Sequence, residues 1–157
     1  MPHRTPIPHV TFRPLERAEC DAVLARNAVG RVAFTLHDRV NIEPIHYVLR
    51  GPWLYARTSE GSKMAVLAHH PYVAFEVDEI RGLFDWASVV VQGTVYRFRP
   101  TGSRADRSSY ARALEALRTL APDAFGPRDR VAFRQVVFGI HIRDVTGRAA
   151  APAPAAA

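Results

Sequence analysis

The chain has 157 residues and is 48% hydrophobic, which suits one globular domain around one core rather than two domains with a core each. A single cysteine, Cys20, excludes an intramolecular disulfide and any multi-cysteine zinc site, and no apolar run approaches the ~18 residues of a membrane-spanning helix. The formal charge of +6 comes from arginines scattered from Arg4 to Arg148, with Lys63 as the only lysine; this reads as a basic enzyme rather than a nucleic-acid face, where cations cluster with aromatics between them.

The opening "MPHRTPIPHV" breaks with prolines the apolar stretch a signal peptide needs, so a cytoplasmic protein is expected, with residues 1–13 as an arm. Residues 14–148 form one domain without repeats or a dividing linker. The tail "APAPAAA" offers neither core residues nor turn chemistry, and 149–157 is expected to be disordered.

After Pro14, Cys20, Val23 and Leu24 fall at helical spacing, with Asn27 and Gly30 as terminators, and Cys20 reads as packing rather than as a nucleophile. "GRVAFTLH" alternates Val32, Phe34 and Leu36 with polar or small residues, the period of a half-buried strand. An Asp38-Arg39 turn leads into a second strand, "VNIEPIHYVLR". Pro44 has no N–H for a ladder and places this strand at an edge or a bulge. "WLYART" is a third strand, and 60–69 a short helix that Pro71 stops. "YVAFEVD" and "WASVVVQGTVYRFR" are the fourth and fifth strands, the latter with a bend or bulge at Gly93. Ser103 and Asp106 mark the start of a third helix with Tyr110, Leu114, Leu117 and Ala121 on one face, and "AFRQVVFGIHIRDV" closes the chain as a sixth strand. Six strands joined mostly by short turns, with three helices at the ends and in crossovers, predict a mainly β, six-stranded antiparallel barrel.

Chemistry concentrates at the end of the third strand. Arg57, Thr58, Ser59, Ser62 and Lys63 lie within seven residues, and Gly61 admits a close backbone approach. A helix beginning there points free N–H groups at the same spot, an arrangement that favours a phosphate. The alternative is that Thr58 or Ser59 caps the helix while Arg57 and Lys63 face solvent. His69-His70 stands beside Pro71 with no second pair at ligand spacing, so no metal site is expected. His46 carries an imidazole, a group suited to proton transfer near neutrality; packing beside Tyr47 and Val48 is the competing reading.

The order "GRVAF", "IEPIHYVLRGPWLYART", "EGSK", "HHPYVAFEVD", "WASVVVQGTVYR", "DVTGR" resembles the pyridoxamine 5'-phosphate oxidase-like superfamily of flavin-binding split barrels, closest to its nitroimidazole-resistance-like branch, over residues 14–148. The resemblance implies a split-barrel homodimer binding FMN between subunits and working as an oxidoreductase on a small molecule, with F420 as the alternative cofactor and a non-catalytic flavin or haem carrier as the alternative role. It assigns the FMN phosphate to Arg57, Thr58, Ser62 and Lys63, and the ring to the strand at Glu43, Pro44, Ile45 and His46. Trp86 and Ser88 match positions that reach the flavin across the interface, and His46 is the best catalytic candidate. Ser62 stands where pyridoxamine phosphate oxidases proper carry arginine, and "VFGIHIRDVTGR" offers no counterpart to their product-holding C-terminus, which points away from vitamin B6 oxidation.

Overall fold

The computed structural model describes residues 9–153. The elements in chain order are β1 (Val10–Pro14), α1 (Arg17–Arg26), β2 (Val29–Leu36), β3 (Arg39–His46), β4 (Val48–Arg50), β5 (Trp53–Thr58), α2 (Ser62–Leu67), β6 (Tyr72–Gly82), β7 (Asp85–Phe98), α3 (Arg104–Leu120) and β8 (Val136–Pro152). All pairings are antiparallel, in the order β3-β2-β6-β7-β8-β5-β4, with β1 added to β8. The two end strands of that path, β3 and β4, follow each other in the chain. The sheet therefore curls back on itself as a split barrel, and the mainly β class expected from the alternating patterns holds.

Among the described residues eight strands replace the expected six, for two reasons. The predicted second strand divides at Tyr47. Its first part pairs with β2 and its second with β5, while Tyr47 turns inward, 1% exposed, its hydroxyl donating to the Leu24 carbonyl at 2.6 Å and its ring meeting Phe75 edge-on. Burial raises the Tyr47 phenol well above its ordinary range, so the hydroxyl stays a donor. Pro44 sits on the edge strand β3, where no further partner needs its missing N–H.

The second reason lies at the termini, and it corrects the expected boundaries. Residues 10–13, assigned to an arm, form β1 together with Pro14, and the tail expected to be disordered from 149 continues as strand to Pro152. Ala149 and Ala150 pair with Ala87 and Trp86 of β7 on one side and with Arg13 and Phe12 of β1 on the other. Two ladders and the Phe12–Trp86 contact, ring centroids 6.2 Å apart, supply the order that the small side chains do not announce. Residues 1–8 and 154–157 lie outside the described residues.

Local chemistry explains the turns. His37 and Asp38 both have positive φ, the two-residue hairpin that matches strand twist, one residue earlier than the predicted turn. At Gly93 the β7–β8 register shifts, and a Cβ there would meet the His141 carbonyl at 2.9 Å, so the expected bulge requires glycine. Ser103 caps α3 through a reciprocal box with Asp106. The helix buries Ala113, Ala116 and Leu117 rather than the full predicted face; alanines let its backbone lie close on Val48, Tyr55 and Val137. The larger core inside the barrel gathers Leu24, Phe75, Val89, Phe138 and Ile140 with Cys20, which is buried as packing. Among the described residues no helix is long and apolar enough to cross a membrane.

Candidate functional site

The end of β5 delivers Arg57 and Thr58, and α2 begins four residues later across the mouth of the barrel. Neither Thr58 nor Ser59 caps it: Gly61 occupies the N-cap without a side-chain hydrogen bond. Gly61 and Ser62 are exposed, and a Cβ at Gly61 would meet no atom within 4 Å. Open space therefore faces the first N–H groups of α2, which have no intrahelical acceptor.

Lys63 and Glu43, named separately from the sequence, meet here: the Lys63 Nζ donates to Glu43 Oε2 at 2.6 Å, with the side chains 15% and 44% exposed. The pair joins α2 to edge strand β3. One ammonium proton is engaged and two remain for another acceptor. Glu43 lies opposite Val32, on the barrel side of β3, whereas Pro44 and His46 alternate to the outer face.

Arg57 differs from the expectation of a free phosphate ligand. Its Nη1 and Nη2 donate to both carboxylate oxygens of Asp129 at 2.6 and 2.9 Å, and the guanidinium lies over the Phe125 ring, 4.9 Å from its centroid. Asp129 also accepts from the backbone N–H groups of Phe125 and Val131. Four donors hold this carboxyl well below the usual carboxylate range, the Arg57 hydrogen bonds contributing most. Arg57 thus clamps the segment between α3 and β8 onto β5. Asp129 was missed in the sequence because 72 residues separate it from its partner and a single aspartate in "FGPRDRVAFR" carries no periodic or motif signal.

Trp86 and Ser88 lie on the same outer sheet face as Pro44 and His46, but β2 and β6 intervene, so one protomer does not bring them to the Lys63 site. Ser88 Oγ donates to Glu76 Oε1 at 3.0 Å, and Arg31 bridges Glu76 and Asp78, a second cluster that strand alternation alone did not single out. Around it the face exposes Val29, Val40, Ile42, Tyr72 and Ile80, the last three each at least 68% exposed.

A sheet split in this way, with a lysine at the helix across its mouth, places the chain among small split-barrel proteins. A family model described as Pyridoxamine 5'-phosphate oxidase matches residues 16–149, and the chain belongs to this pyridoxamine 5'-phosphate oxidase family. An FAD-binding protein from Mesorhizobium loti shares 30% identity, with 89% of this chain and 98% of that one covered and a TM-score of 0.69. An FAD-binding protein from Mycobacterium smegmatis shares 25%, covering 87% and 99%, at a TM-score of 0.64. A 5-nitroimidazole antibiotic resistance protein from Bacteroides thetaiotaomicron has the same fold at 14% identity, covering 94% and 96%, with a TM-score of 0.66. An uncharacterized protein of Rhizobium meliloti (strain 1021) is 33% identical over 81 residues, and the chain spans about half the length of that relative.

Proposed function

We propose that this protein is a flavin-dependent oxidoreductase that works as a homodimer, with FMN as its cofactor. The observation that carries the reading is the Lys63 ammonium, the chain's only lysine, bonded to Glu43 from the first turn of α2, in the same stretch of chain as exposed Ser62 and half-buried Thr58. These three side chains and the first N–H groups of α2 fit a nucleotide phosphate; charge-assisted hydrogen bonds of about 1.5–3 kcal/mol each suffice for micromolar affinity before immobilisation costs. Arg57 stands outside the phosphate set, because Asp129 already neutralises it.

The flavin ring is assigned to the strand Glu43, Pro44, Ile45 and His46. Pro44 stiffens that strand, and its neighbours' backbone groups on this edge have no further strand to satisfy. When bound, the flavin supplies hydride transfer between a reduced nicotinamide or similar donor and a small organic acceptor. His46, exposed at the end of β3, would hold a proton beside the acceptor. Trp86 and Ser88 of a second copy would complete the site. Support for that copy is the apolar outer face of β3, β2 and β6, since a patch of this kind marks an interface more often than a solvated surface.

Titration of the apoprotein with FMN, FAD and F420 in parallel, together with mass spectrometry of any ligand released on denaturation, tests the assignment. Flavin binding with a Kd at or below about 10 μM is expected, followed by bleaching with NAD(P)H and reoxidation by an acceptor. Preference for F420 would replace the cofactor, and binding without turnover would leave a carrier. A sharp Soret band would indicate haem instead. A protein that binds none of them would end the reading.

A further inference from the structure

Beside His46 the structure contains a second cavity that the phosphate site does not use. It measures about 440 Å³ and opens between the C-terminal turn of α3, the segment leading to β8, and the start of β2. Its walls are Val29, Leu117, Leu120, Ala121 and Val131, apolar throughout. Polar groups enter at three places only: His46, Arg57 and Arg134.

The charges of these three are not equivalent. Arg57 is cancelled by Asp129. Arg134, half-buried and lying 5.7 Å from the Phe133 ring centroid, has no carboxylate partner among the described residues, and neither does His46. Among the described residues no acidic side chain lines the cavity. A dry wall with one unneutralised guanidinium at its rim complements a ligand with an apolar body and a single anionic end. The planar fork of arginine matches a carboxylate through two parallel hydrogen bonds. The volume falls in the range of small-molecule sites. Nucleotides are a poorer match, since their many polar edges would find few partners on these walls.

We propose that this cavity is the acceptor subsite and takes apolar monocarboxylates, aromatic or medium-chain, with Arg134 as the carboxylate anchor and Leu117, Leu120 and Val131 around the apolar body. This rests on the flavin reading above only for the word acceptor, because His46 borders both the cavity and the strand assigned to the ring; the binding site itself stands on its own geometry. The fixed Arg57–Asp129 clamp is what holds the wall in place, since the Val131 backbone N–H donates to the same carboxylate that pairs with Arg57.

Calorimetry with naphthoate against the protein, without and with saturating FMN, tests this, with naphthalenemethanol as the uncharged analogue. Naphthoate should bind at least tenfold more tightly than the alcohol. Arg134→Gln should remove most of that preference, and Leu120→Glu, which brings a like charge to the rim, should weaken naphthoate about tenfold, while flavin affinity in both variants stays within about twofold of the parent. Equal binding of acid and alcohol, indifference to Arg134→Gln, or displacement of naphthoate by FMN would each overturn the assignment. Flavin titration is read separately, so failure of flavin binding with charge-selective naphthoate binding intact would sink the cofactor reading and support the cavity.

Discussion

Two ion pairs, made by cations from one short stretch of sequence, divide the region after β5 into a rigid part and an exchangeable one. Arg57–Asp129 is bidentate, with side chains only 11% and 3% exposed, and its carboxylate accepts two backbone N–H groups besides. Lys63–Glu43 is a single contact, and Glu43 is 44% exposed. Low local dielectric and complete hydrogen bonding make the first pair a structural clamp, whose removal would strand a buried charge. Water at the second keeps the Glu43 interaction weak, so that an incoming phosphate can share or take the ammonium. Six residues apart, similar charges serve the fold in one case and a ligand in the other.

The largest effect should come from breaking the clamp. Arg57→Leu leaves Asp129 buried without its counter-charge, and urea denaturation should show the greatest loss of midpoint of any variant considered, with added protease sensitivity in 121–135. A parent-like midpoint would show that the pair is dispensable. Lys63→Ala should do the reverse, leaving the unfolding free energy within about 0.5 kcal/mol of the parent while weakening flavin by tenfold or more, about 1.4 kcal/mol. Loss of stability without loss of affinity would invert the comparison.

Acid sharpens the contrast further. The Asp129 carboxyl is depressed in the folded state, so its stabilising contribution is complete above the ordinary aspartate value of 3.8 and is withdrawn only as pH falls toward the depressed value. The stability difference between the parent and Asp129→Asn should therefore stay constant from neutrality down to about pH 4 and narrow below it, as measured by urea melts across pH. A difference that already narrows between pH 7 and 5 would mean the carboxyl is not held as the hydrogen bonds require. The smallest effect belongs to Glu43→Gln. Removing the competing carboxylate should tighten flavin binding by roughly twofold to threefold, within the range of an exposed pair. Weakened binding would instead make Glu43 part of the cradle.

Much of the fold was legible because strand alternation is a local property. Val32 and Phe34, then Val73, Phe75 and Val77, announce their buried faces by spacing alone, and Ser103 with Asp106 announces the start of α3. The termini were not legible. The tail is strand through Pro152, paired with β7 as far as Ala150 and with β1 as far as Pro152, which composition does not encode. The candidate site was legible in part. Lys63, Ser62 and Thr58 were visible from their clustering, as was the edge position of Pro44, but Asp129 was not, nor was the pairing of Lys63 with Glu43.

By itself the amino-acid sequence determined the inward faces of the alternating strands, the start of α3, and which segment gathers groups suited to an anion, because each depends on neighbours a few positions away. Tertiary structure alone decided that the second predicted strand splits at Tyr47 to close the barrel, that Arg57 is consumed by an aspartate 72 residues distant, and that His46 borders an apolar cavity under α3. Those outcomes depend on which distant surfaces exclude water together, and that is settled only when the sheet closes.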